Sequence, residues 1–285
     1  MPYIDDTYTG IVRFDCVVAD GKIKILELNA DYPDGLLLHD KTYGLLAGSP
    51  CQVHESAFLS YFPPKTMIHI SHAKEAYFLD AYYTEAATLE AAGHTVSLGA
   101  GAPPHGTPAW HRRCIEASKV TTDDMLWCKD ARPQHLNSFA LRTLGYKDLL
   151  ASVSHPYALK TSPVGREMFP ELTAHQSGYV LKPANGCEGR GIFFGRNHTK
   201  VAWADILATL PPGYIAQEYV QLPRRRVAIY DGGTVVEKEL YFDICPHFFI
   251  TAGTVTGTGH LLMPFSESPV VNVAQGGAVG YHTLT

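Results

Sequence analysis

The chain has 285 residues, 46% of them hydrophobic and 18% charged, a composition that fits a folded globular protein and excludes a disordered one. Its net charge of −5 argues against a nucleic-acid binder that works by broad phosphate neutralisation. No apolar run is long enough for a membrane span, and two lobes, or one domain with an insertion, are expected at this length.

The opening residues, Met1-Pro2-Tyr3-Ile4-Asp5-Asp6, lack the basic and apolar regions of a signal peptide. The six cysteines are scattered, with no Cys-x-x-Cys pair, which reads as free thiols in a cytoplasmic protein rather than zinc ligation. His69 and His72 lie close together among fourteen histidines and read as strand-end polarity rather than a metal site.

Alternation predicts a first hairpin, with strands Ile11 to Val18 and Ile23 to Asn29 around Ala19-Asp20-Gly21. A polar loop with Pro33 and Gly35 precedes a partly helical segment that runs to Phe62. A strand at Thr66 to Ser71, a helix over Tyr77 to Ala92 stopped by Gly93, and a strand at Thr95 to Leu98 form a β-α-β unit. Residues 99–123 read as a long loop with a short helix, and Met125 to Cys128 as a strand. Helices are expected around Leu136–Leu144 and Lys147–Ser154. Val201 to Leu210 is an amphipathic helix ended by Pro211-Pro212-Gly213, and from Tyr214 onward the chain reads as strand and turn.

Arg13 and Asp15 share one face of the first strand, opposite Val12, Phe14, Cys16 and Val18, while Glu27 and Asn29 share a face of the second. A two-residue turn at Asp20-Gly21 would put Asp15 and Glu27 on opposite faces. A three-residue turn with Gly21 left-handed would unite all four, and this is the turn expected. Neighbouring carboxylates repel unless a cation sits between them, and magnesium commonly joins one or two carboxylates to substrate phosphates. The alternative is an ordinary solvated hairpin face.

A second constellation begins at Lys182. A strand, Tyr179-Val180-Leu181, ends on that lysine, and a loop with Gly186, Glu188, Gly189 and Gly191 leads into Ile192-Phe193-Phe194. Glycines let backbone amides approach a phosphate, and a lysine supplies a point charge. Downstream, Gln217, Glu218, Tyr219 and Val220 lie at the end of a strand, where a Gln-Glu pair suits an adenine or ribose, or where the strand simply emerges into solvent. Lys147 opens a helix, a place where an ordinary surface lysine is as usual as a ligand-binding one. Arg224-Arg225-Arg226 reads as a solvated run, and Asn272 to Gly277 as a turn able to close over a nucleotide.

These motifs together resemble the synthetase domain of glutathionylspermidine synthases, carried by Arg13-Phe14-Asp15, Leu26-Glu27-Leu28-Asn29-Ala30-Asp31-Tyr32-Pro33, the lysine-glycine loop and the Gln-Glu strand. The resemblance implies an α+β, circularly permuted ATP-grasp fold, because the carboxylates precede the lysines. It implies an N-terminal permuted part at 1–63, a small pre-ATP-grasp-like α/β subdomain at 64–135 and a nucleotide-binding part at 136–285. It further implies magnesium on Asp15, Glu27 and Asn29, with Arg13 acting at the reacting phosphate or carboxylate. ATP would lie on Lys147, Lys182, the 186–191 loop and 217–220. The implied activity is an ATP-dependent carboxylate–amine ligase, working through an acyl phosphate on a small molecule or peptide. Tyr32 stands where the family carries threonine, and His260 roughly where it carries an arginine, so glutathione and spermidine are not the expected substrates. A kinase that stops at phosphorylation and a non-catalytic ATP- or peptide-binding module are the alternatives.

Overall fold

A computed structural model describes residues 9–30, 33–72, 79–99, 107–112, 135–137, 144–186, 189–273 and 276–283. The first hairpin pairs β1 (Gly10–Ala19) with β2 (Lys22–Asn29), and Ala19 faces Lys22 across the turn. The turn is therefore two residues long, with Asp20 and Gly21 at φ 51° and 70°, as suits the twist of a tight hairpin. The expected three-residue turn is not formed. A β-bulge achieves what that turn was expected to do. Cys16 faces Ile25 and Asp15 faces Glu27, so Leu26 is an additional residue on β2. Beyond it, Arg13 faces Asn29.

Helices α1 (Leu36–Ala47) and α2 (Val53–Leu59) follow. Strand β3 (Met67–His72), helix α3 (Leu79–Ala91) and strand β4 (Thr95–Gly99) make the β-α-β unit, with β3 and β4 parallel. Two short strands, β5 (Ala109–Arg112) and β6 (His135–Leu136), extend it to a parallel sheet ordered β4-β3-β5-β6. The expected loop over 99–123 thus contains a strand. Leu136 also belongs to a strand rather than to the start of a helix, because pairing with Trp110 buries both side chains completely or nearly so. The strand expected at Met125 to Cys128 lies outside the described residues.

Strands β7 (Thr161–Pro163), β8 (Tyr179–Pro183), β9 (Phe193–Phe194) and β10 (Tyr214–Glu218) form an antiparallel sheet ordered β7-β10-β8-β9. Helices α4 (Phe169–Ala174) and α5 (Lys200–Thr209) cover it through Leu172, Trp203 and Leu207, which pack on Leu181 and Ala216. The hydroxyl of Thr199 caps α5 by accepting from the Ala202 amide at 3.2 Å.

The third sheet is the largest. Its later strands are β11 (Arg224–Asp231), β12 (Thr234–Phe242), β13 (Cys245–Thr251), β14 (Thr254–Ser266) and β15 (Ala278–Thr283). The order is β11-β12-β14-β13-β1-β2, with β15 also paired to β14, so the N-terminal hairpin completes a sheet otherwise built from the C-terminal third. The arginine run opens the edge strand β11, where Arg224 and Arg226 make exposed pairs with Glu239 and Glu237.

One apolar core joins the parallel sheet to the large one. Ile11 and Phe249 pack with Phe58, Ile68, Ile70 and Trp110. Asn137 adds a polar tie in the same place. It is fully buried at φ 53°, accepts from the Ile11 amide at 2.7 Å and donates to the Ile11 and Ala30 carbonyls at 2.6 Å each. Asn137→Ala leaves buried backbone groups unsatisfied, and a loss of about 2–4 kcal/mol is expected. Urea unfolding reads this as a lower midpoint at unchanged slope, whereas a midpoint equal to wild type would mean that the tie contributes nothing.

Candidate functional site

The bulge opposite Cys16 makes Asp15 and Glu27 direct cross-strand neighbours, and their carboxylates come within hydrogen-bonding reach. Arg13 grips Asp15 through Nε at 2.8 Å and Nη2 at 3.0 Å, while its Nη1 donates to the Asp34 carbonyl at 2.8 Å. Glu27 pairs with Lys147, whose Nζ lies 3.1 Å from Oε2. Asn29 stands opposite Arg13, and its amide nitrogen is buried with no partner among the described residues. All four residues singled out on the hairpin are therefore on one site.

The second constellation meets the first. Lys147 starts a short 3-10 helix, Lys147–Ser152, anchored by its amide on the Ala184 carbonyl at 2.8 Å. Its Nζ also donates to the Gly186 carbonyl at 2.7 Å, so the lysine bridges Glu27 to the start of the glycine loop. Lys182 is buried on β8 and donates to Gln217 Oε1 at 2.8 Å. Gly189 and Gly191 both adopt φ 70°, and a Cβ at Gly191 would lie 2.7 Å from the Tyr214 hydroxyl oxygen, so glycine is required there. Glu188 lies outside the described residues.

Gln217 has a different part from the one its strand-end position suggests. Its side chain is almost fully buried, and Nε2 donates to the Thr161 hydroxyl at 3.2 Å and to the Leu26 carbonyl at 3.3 Å. It therefore ties Lys182 to the bulge residue itself. Glu218 is exposed, Tyr219 and Val220 are half-buried, and the Tyr219 ring packs under Arg196, which donates to its hydroxyl at 2.7 Å.

Asp243 and Cys245 also belong here, and the motif reading missed them. Cys245 donates to Asp15 Oδ1 at 3.4 Å, and Asp243 senses the charges of Asp15, Lys182, Glu27 and Arg13. Asp243 Oδ1 is buried without a partner among the described residues. No spacing in the chain signals this, because 230 residues separate Asp15 from Cys245 and the β1–β13 pairing and the Cys16–Ile244 bridge bring them together.

The electrostatics divide the acids. Burial would raise Glu27, but Lys147, Lys182 and hydrogen bonds outweigh it and bring its pKa to about 2. Burial dominates at Asp15 and raises it despite Arg13, with Glu27 adding to the rise. Asp243 is raised well above the ordinary aspartate value, by burial first and by Asp15 second. Lys182 is lowered by burial, which Glu27 only partly offsets. Two of the three acids are thus shifted upwards, as expected where negative charge is crowded.

No family model matches the chain, and no curated protein matches it either. Among solved structures it is similar to a glutathione synthetase-like effector (GSS30) from Globodera pallida, in its apo form. The TM-score is 0.52 at 12% identity, covering 98% of this chain and 76% of that one. The likeness is one of fold: a mixed α/β architecture with large antiparallel sheets, compatible with a glutathione synthetase-like fold. No helix among the described residues is long and apolar enough to cross a membrane.

Asp243 supplies a test of this electrostatic picture. An aspartate raised in the folded state gives stability that is complete below its unfolded pKa, near 3.8, and is lost as pH rises through the folded value. Asp243→Asn removes that loss, so the variant should melt higher than wild type at pH 7 and the gain should vanish by pH 3. Equal melting temperatures at pH 7 would contradict the crowding.

Proposed function

We propose that the chain is an ATP-dependent ligase of circularly permuted ATP-grasp type, joining a carboxylate to an amine on a small molecule or peptide. The observation that carries the reading is the meeting of Asp15 and Glu27 with Lys147 and Lys182, where Lys147 also reaches Gly186 at the start of the glycine loop. An N-terminal hairpin seated among C-terminal strands, and a glutathione synthetase-like fold, support it.

The donor set fits a magnesium ion. Adjacent carboxylates of raised and lowered pKa, a carboxamide and a buried, unpartnered Asp243 oxygen give a crowded oxygen-rich surface that a divalent cation would relieve. Asp15, Glu27 and Asn29 would hold it, and when bound it would neutralise charge on the phosphates. The protein's own groups do the rest by positioning. Arg13 fixes both oxygens of Asp15. Lys147 rests on Glu27 and Gly186, and turns from the carboxylate to a phosphate when nucleotide enters. Lys182, desolvated and aligned by Gln217, presents one charge at a set place. The acid is activated as an acyl phosphate with release of ADP, and the amine then displaces phosphate to form the amide.

A second reading, nucleotide or peptide binding without turnover, is favoured by one feature. Arg13 commits three of its five N–H donors to Asp15 and the Asp34 carbonyl, so it serves Asp15 as a positioning group first and keeps two donors for a phosphate. ADP release across a panel of acids and amines separates the readings, and release that ignores added amine would indicate a kinase.

Asp15→Ala and Glu27→Ala should each abolish magnesium-dependent ADP formation while the circular dichroism spectrum is retained, and full turnover in either variant would overturn the ligase reading. Lys182→Ala should weaken ATP binding by at least about tenfold, in line with losing a buried charge–phosphate contact. Isothermal titration with an unaltered dissociation constant would remove that lysine from the site.

A further inference from the structure

A second cluster lies where α1, the segment before α2 and β14 converge. One ring nitrogen each of His39 and His260 and the sulfur of Cys51 lie within 4.8 Å of one another. His39 is fully buried, whereas Cys51 and His260 are partly exposed, so the cluster opens towards solvent on one side. The His39 ring also packs beside His54 and His260, at centroid distances of 4.5 and 5.3 Å.

Asp40 organises the group. Its Oδ1 accepts from Nδ1 of His39 at 2.8 Å, from Nδ1 of His54 at 3.0 Å and from the Cys51 thiol at 3.5 Å. Its Oδ2 accepts from the backbone amides of His54 and Glu55, at 2.9 Å each, in the first turn of α2. A carboxylate so engaged stays ionised, and it fixes both imidazoles as the tautomer with the proton on Nδ1. The two Nε2 atoms are therefore lone-pair acceptors. His54 Nε2 meets the Thr258 hydroxyl at 3.3 Å. His39 Nε2 is buried with no partner among the described residues, and His260 Nδ1 shares that condition.

We propose that His39, Cys51 and His260 bind a zinc-class transition-metal ion, with Asp40 as the carboxylate that orients His39 from behind. A thiolate and two imidazoles are the ligand chemistry that zinc prefers and magnesium rejects. A carboxylate behind the ligating imidazole is the usual support for such a ligand, since it sets the tautomer and strengthens the donor. Binding through Nε2 would give His39 its missing partner, and it takes the Cys51 thiol from its contact with Asp40 and releases the thiol proton to solvent. Three protein ligands leave the fourth position to water or to a small ligand entering from the exposed side. The site uses none of the residues of the proposed ligase centre, so it stands or falls separately.

The test uses the full chain stripped with chelator and titrated with Co2+, then with Zn2+. One equivalent of cobalt should give a thiolate-to-cobalt charge-transfer band, and zinc should displace it. Cys51→Ser, at a partly exposed position, should fold normally and lose the band, and His260→Ala should bind zinc at least about tenfold more weakly. Glu27→Ala should retain both band and affinity. Folded wild-type protein that takes up no stoichiometric metal, or gives no thiolate band, would overturn the proposal. So would a band that persists in Cys51→Ser.

Discussion

Asp15 and Glu27 stand opposite one another because β2 carries one residue more than β1 between the turn and the acids. A regular ladder closed by the two-residue Asp20-Gly21 turn would send the two carboxylates to opposite faces, since side chains alternate with a period of two. The bulge at Leu26 reverses that parity once, and everything on the hairpin beyond it inherits the reversal: Arg13 meets Asn29, and the polar set gathers on one side. Like charges directly opposite are destabilising, so the arrangement persists only with counter-charges close by, and Arg13 and Lys147 supply them.

The bulge is also where the distant parts of the chain are joined. The Leu26 carbonyl accepts from Gln217, which in turn holds Lys182, and Lys147 reaches from the same side to Glu27 and Gly186. Acids and bases buried together are weak contributors to stability, because the loss of hydration rivals the attraction regained. A hairpin selected for stability alone would carry apolar side chains at these places. The concentration of charge is better accounted for by a polyanionic ligand and its counter-ion, which is the reading proposed above.

Much of the element order was legible, because periodicity and glycine stops are local signals. The β-α-β unit ending at Gly93 and the helix ending before Pro211 are examples. The conjunction of hairpin acids with the lysine-glycine loop was legible through the family resemblance that those motifs carry together, not through either motif alone. Three things were hidden for physical reasons. The turn was hidden because Asp-Gly serves both loop lengths, and the bulge shows only as one change of phase in the apolar pattern, from Ile23 and Ile25 to Leu26 and Leu28, which a single short strand does not distinguish from an apolar residue on the other face. Leu136 was misassigned because its strand exists only through pairing with Trp110, a tertiary contact. Asp243 and the His39–Cys51–His260 group escaped notice because sheet pairing and helix packing, not sequence distance, bring their members together.

Among the described residues the seven-stranded sheet does not close on itself, and β11 forms one rim. An open rim displays unpaired amides and carbonyls that invite a second molecule to add a strand, the first step towards aggregation. Here the rim begins with Arg224, Arg225 and Arg226, all exposed. A second strand adding here would have to desolvate these arginines and the glutamates Glu239 and Glu237 that pair with two of them. The arginine run thus acts as a guard on solubility, and neutral replacements there would be felt first as precipitation at high concentration rather than as lost folding.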